Sequence, residues 1–113
     1  MARSQTALYY LAKAEVLIQE TGDTSEIATV WSNMAYAYRL TSDYEKAIMY
    51  ANKAEEQYRR WINWLPLARV WHNLALVYLV TGNLSKATYY REQARKLYHQ
   101  FNDHAGEKQL VKD

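Results

Sequence analysis

Residues 27–61 and 67–101 carry one pattern twice, forty residues apart. The identical pairs are Ala28/Ala68, Val30/Val70, Trp31/Trp71, Asn33/Asn73, Ala35/Ala75, Tyr38/Tyr78, Thr41/Thr81, Lys46/Lys86, Ala47/Ala87, Tyr50/Tyr90, Ala54/Ala94 and Tyr58/Tyr98. Unrelated stretches of this length share roughly two or three identities. Several mismatches are conservative: Ile27/Leu67, Met34/Leu74, Leu40/Val80 and Trp61/Phe101. Ala7, Tyr10 and Ala14 align with Ala47, Tyr50 and Ala54, so half a unit precedes the two full ones. A period of this length constrains the fold strongly. One such unit cannot bury its own apolar face, so neighbouring units must stack.

Each unit divides into two helices. Ile27, Val30, Trp31, Met34, Ala35 and Tyr38 follow the i, i+3, i+4, i+7 spacing of one helical face. A break follows at Thr41-Ser42-Asp43, matched by Thr81-Gly82-Asn83. Gly82 accepts the positive φ that ends helices, Ser42 and Glu45 have capping-box spacing, and Asn83 suits an N-cap. A second amphipathic run is marked by Ala47, Tyr50, Ala54 and Tyr58. Turns at 21–25 and 62–66 separate the units, and Pro66 suits a first helical turn. The pattern predicts five helices at 4–20, 25–41, 44–61, 66–81 and 84–101. The domain is expected over 1–101, as a half unit (4–20) and two units (25–61 and 66–101). Residues 102–113 are polar, and read as a tail or as the start of a further helix.

Composition agrees. Half of the 113 residues are hydrophobic, which argues against a disordered chain, and three Gly with one Pro argue against an all-β fold. Eleven Tyr and four Trp supply large packing surfaces with polar handles. The absence of cysteine excludes disulfides and thiolate metal sites, and a net charge of +2 does not by itself point to nucleic acid. There is no run of eighteen apolar residues, and Lys13 and Glu15 interrupt the first apolar stretch, so neither a membrane span nor a signal peptide is expected. The default location is cytoplasmic.

The chain resembles the tetratricopeptide repeat, whose signature is W-x₂-L-G-x₂-Y followed by A-x₃-F and a proline. Trp31, Met34, Ala35, Tyr38 and Ala47 match in one unit, and Trp71, Leu74, Ala75, Tyr78 and Ala87 in the next. The aromatic expected four residues after each Ala47 or Ala87 is instead Ala51 or Arg91; Tyr50 and Tyr90 stand one position earlier. The terminal proline is missing and the period is forty, similar to the longer repeats of kinesin light chains and of bacterial signalling ATPases and transcription regulators. The resemblance implies an all-α, right-handed solenoid of stacked antiparallel hairpins, with small Ala residues at close helix contacts. It implies a scaffold that binds a protein or peptide partner, within a larger signalling or regulatory protein.

In that family the first helices of successive units line a concave groove. The matching positions are Thr29, Ser32, Asn33, Tyr36 and Arg39, then Arg69, His72, Asn73, Leu76 and Leu79. The amides of Asn33 and Asn73 can pair with the backbone of an extended peptide, or can satisfy neighbouring helix ends. Arg39 and Arg69 can hold a carboxylate or stay solvated. His99 and Asp103 have helical i, i+4 spacing without an evident third metal ligand. Lys86, Arg91, Arg95 and Lys96, with Tyr89, Tyr90 and Tyr98, form a basic aromatic run that reads first as a solvated face and only second as a nucleic-acid surface. No glycine-rich phosphate loop or nucleophile–base motif occurs, so neither catalysis nor a cofactor nor a small-molecule substrate is expected. The alternative to a ligand-binding module is a self-assembly unit, natural or designed, pairing through its end helices as a homodimer.

Overall fold

The computed structural model describes residues 3–22, 26–101 and Leu110. It contains five helices: α1 (Arg3–Thr21), α2 (Ile27–Leu40), α3 (Tyr44–Arg60), α4 (Trp64–Val80) and α5 (Leu84–Gln100). Consecutive helices pack on one another, and α2 also touches α4. The architecture is an α-solenoid of antiparallel hairpins, α2–α3 and α4–α5, with α1 as the preceding half.

The small residues of the repeat are buried. Ala35, Ala47, Ala75 and Ala87 are all buried, as are Ala51, Ala54 and Ala94. An alanine at a helix crossing lets two backbones approach, and larger side chains then fill the space on either side. Met34, Leu67, Val70, Leu74 and Val77 are the largest fully buried side chains, with Tyr58, Trp71 and Tyr98 closing the core around them. α1 contributes no buried residue.

Two departures from the family pattern are explained by packing. Tyr50 stacks on Tyr38 (centroids 5.5 Å, planes 10° apart), and Tyr90 on Tyr78 (5.8 Å, 7°). Lys46 lies over Tyr38 and Lys86 over Tyr78, at 5.5 and 5.2 Å. Each hairpin thus carries a Lys–Tyr–Tyr stack, and the aromatic moved by one position still meets its partner across the hairpin.

The three short links share one geometry. The amides of Asp43, Asn63 and Asn83 donate to the carbonyls of Tyr38, Tyr58 and Tyr78, each at 2.9 Å. Those of Ser42, Ile62 and Gly82 donate to Arg39, Arg59 and Leu79 at 3.1, 3.2 and 3.3 Å. This is the Schellman closure of a helix C-terminus, which needs a left-handed residue at its centre. Ser42 (φ 66°), Ile62 (φ 53°) and Gly82 (φ 87°) fill that place. In two of the three links the residue that completes the closure also caps the next helix through its side chain: Asp43 accepts from the Lys46 amide at 3.4 Å and Asn83 from the Lys86 amide at 3.2 Å, whereas Asn63 makes no such bond.

These links correct the sequence reading in two places. Ser42 does not form a capping box with Glu45; it takes the left-handed position, and Asp43 is the cap. α4 starts at Trp64, two residues before the expected 66, because the turn between units is as short as the turn within them. Pro66 therefore sits third in its helix, still in the first turn where no intrahelical N–H bond is lost.

Candidate functional site

The first helices of the two units meet through one hydrogen bond. Arg39 Nε on α2 donates to Asn73 Oδ1 on α4 at 2.5 Å. Arginine has no acceptor, so this bond fixes the amide with its oxygen towards Arg39. Nδ2 is left facing away, shielded from solvent and without a partner. A shielded amide donor that lacks an acceptor costs free energy until one arrives. Arg39 is further held against the Tyr36 ring, 5.1 Å from the guanidinium carbon to the centroid. Neither polar residue is thus a freely solvated group. Arg39 positions Asn73, whose remaining donor is covered.

Asn33, the repeat equivalent of Asn73, is exposed. It lines an open cleft with Tyr36 and Leu40 of α2 and with Ala7, Tyr10 and Leu11 of α1. This cleft is apolar apart from the Asn33 amide, the Tyr hydroxyls and Arg3 and Ser4 at its end. α1 was not among the expected groove elements. The alignment of Ala7, Tyr10 and Ala14 with α3 is the signal that places it beside α2.

The ten expected groove residues have different surroundings. Asn33 and Tyr36 belong to the α1–α2 cleft. His72, Leu76 and Leu79 line a separate depression against α5, with Thr88, Arg91 and Leu110. The Arg39–Asn73 bond joins the two helices between them. Thr29 meets the Tyr58 hydroxyl at 3.4 Å, at the base of its own hairpin. Ser32 is half-buried and Arg69 exposed.

The basic aromatic run is divided among local contacts. Lys86 lies on Tyr78, Arg91 donates to the Leu110 carbonyl at 3.0 Å, and Arg95 is bonded to Glu92 at 2.8 Å. The Arg95 bond holds the Glu92 carboxyl below its ordinary range. Tyr98 is buried and Tyr90 is stacked, which leaves Tyr89 as the exposed ring of the run. No group of three metal-ligating side chains converges among the described residues, and Asp103 and His104 lie outside them. No helix among the described residues is long and apolar enough to cross a membrane.

A family model described as tetratricopeptide repeat matches residues 26–100, the span from the start of α2 to the end of α5. A comparison with curated proteins finds no match.

Proposed function

Because the chain belongs to the tetratricopeptide repeat family, a family of protein-interaction scaffolds, we propose that it binds an extended peptide of a protein partner along the first helices of its units. The observation that carries this reading is the exposed Asn33 amide in the open, apolar α1–α2 cleft. Its natural complement is a main-chain carbonyl, which an extended peptide offers at every residue. Side chains of the peptide occupy that cleft, and the Asn33 amide holds its backbone. The peptide reaches the Asn73 amide, forty residues on, by displacing the cover over its Nδ2.

A peptide-display screen against the whole chain tests this, with the best ligand measured against Asn33→Ala and Asn73→Ala. Loss of both amides weakens the ligand by about tenfold or more, near 1.4 kcal/mol; because Asn73→Ala also breaks the Arg39 bond, affinities are compared at a temperature where both proteins are fully folded. Unaltered affinity in the double variant moves the ligand to another face.

A second reading, self-association, rests on α1. This helix has no buried side chain, and Tyr9, Val16 and Leu17 are exposed on it along one cleft. Two copies that cover this face for each other form a two-fold dimer. Light scattering distinguishes the cases: a dimer that Leu17→Glu returns to monomer supports this reading, and a monomer at high micromolar concentration removes it.

A further inference from the structure

Each second helix of the repeat carries one row of residues that faces outward. On α3 the row is Asn52, Glu56 and Arg60, all exposed, and on α5 it is Glu92, Lys96 and Gln100, exposed or half-exposed. The register that aligns Ala7, Tyr10 and Ala14 with Ala47, Tyr50 and Ala54 puts Ala12, Val16 and Glu20 of α1 in the same row, and these are exposed as well. Two polar positions of the row are thus apolar on α1, at a place where the stacking of units buries nothing. Leu17 extends the apolar patch: it is 60% exposed and Val16 51%. With Tyr9 and Lys13 these residues line an open cleft that shares no lining residue with the α1–α2 cleft holding Asn33.

The charges of this face stand at its two ends. Lys13 and Glu20 are seven residues apart, two turns or about 10 Å along the axis, with Val16 and Leu17 between them. Lys13 lies over the Tyr9 ring at 4.5 Å, and neither Lys13 nor Glu20 joins an ion pair among the described residues. Such a face complements itself when it is reversed. A second α1 laid antiparallel, with the two-fold axis beside Val16 and Leu17, sets each Lys13 against Glu20 of the partner subunit and covers the apolar middle. A parallel pair sets like charges against each other. One helix face from each chain lies at the small end of specific interfaces, below about 1,200 Å², so the pairing is reversible and depends on concentration.

We propose that the outward face of α1 is the interface of an antiparallel, two-fold pair of these chains, in which Lys13 and Glu20 form the cross-chain ion pairs. The proposal rests on the self-association reading above and adds to it an orientation, a register and the residues that select a second copy of the chain. The pair leaves both α1–α2 clefts open, so one dimer offers two peptide clefts, and a partner that carries its peptide twice gains by avidity.

Sedimentation of the full chain over a concentration series tests this by charge reversal. Lys13→Glu or Glu20→Lys turns both cross-chain contacts repulsive, and each is expected to weaken the dimer by about tenfold or more. An equimolar mixture of the two variants dimerises again, and so does one chain that carries both substitutions. The chain has no cysteine, so Lys13→Cys and Glu20→Cys read the orientation directly. Mixed under mild oxidation, these two variants cross-link to each other in preference to themselves. Should a charge reversal unfold the chain by circular dichroism, the cysteine pair decides the question alone. Like-with-like cross-linking identifies a parallel pair and overturns the proposal. A dimer that Leu17→Glu dissociates but both charge reversals leave intact overturns it too, while self-association stands. Folded single variants that neither mixing nor combination rescues have the same consequence. A monomer at every concentration removes the self-association reading and this proposal together.

Discussion

The indole Nε1 of Trp31 donates to the carboxylate of Glu15 at 2.6 Å, tying α2 to the helix before it. Trp71 stands in the same place one unit later, sixteen residues after Glu55, yet its Nε1 is buried and unpaired. Glu55 is instead engaged by Arg59 at 3.2 Å, and the Arg59 guanidinium lies over the Trp71 ring at 5.6 Å. One repeat position therefore has two outcomes, and the residue that separates them is Arg59, where the half unit has Gln19.

This asymmetry is measurable. Glu15→Ala removes the acceptor of a part-buried indole and is expected to cost about 1–2 kcal/mol in urea unfolding. Glu55→Ala removes an intrahelical ion pair with a largely exposed arginine, worth roughly 0.5 kcal/mol. Equal losses at the two sites would mean that the Trp31 bond contributes nothing beyond an ordinary surface pair.

Ile62 occupies a left-handed turn position that its repeat equivalents give to Gly or Ser. It is 64% exposed, and Trp61 beside it is 69% exposed, so core burial does not account for either side chain. A branched residue at this φ is strained by about 1–2 kcal/mol, partly offset by the greater freedom of glycine in the unfolded chain. Ile62→Gly is expected to raise stability by about 0.5–1 kcal/mol. Gly82→Ala should lower it by about 1 kcal/mol, for conformational reasons alone, because a Cβ built there meets nothing within 4 Å. Opposite signs from two calorimetric scans check the shared geometry of the links.

Enlarging a close helix contact has a different signature. Ala75 is buried on α4 and faces α5 across their shared depression, and Ala75→Leu is expected to overpack that contact at a cost of roughly 1–3 kcal/mol. A melt within a degree of the unaltered chain would place this alanine away from the contact.

The forty-residue identities were enough to read the hairpins, because burial and close packing act on the same positions in each unit. What escaped was the half-period. Tyr38, Tyr58, Tyr78 and Tyr98 recur every twenty residues. The first three supply the carbonyl that closes each short link. The backbone there accepts Ser, Ile or Gly, so residue type alone conceals it. The first-helix positions were legible as a row. The pairing of Arg39 with Asn73 and the bond from Arg91 to Leu110 were not, since each depends on a residue from another element.

Alkaline pH provides the last test, through the stacked tyrosines. Burial is the first cause that pushes the Tyr50 hydroxyl above its ordinary pKa of 10.0, and Glu15 and Tyr38 add to it. Tyr90 is raised likewise by burial, then by Glu55, Tyr78 and Tyr89, with Arg59 opposing. A raised folded pKa means that the unfolded chain loses these protons first. Their contribution is therefore fully present below pH 10 and is lost as pH climbs through the folded values. Denaturant midpoints should stay flat up to about pH 9 on this account and fall above pH 10. Tyr50→Phe with Tyr90→Phe keeps the stacked rings and removes the titrating hydroxyls, so the double variant should lose less stability over that range than the unaltered chain. A parallel decline in both proteins would assign the alkaline loss to groups outside the two stacks.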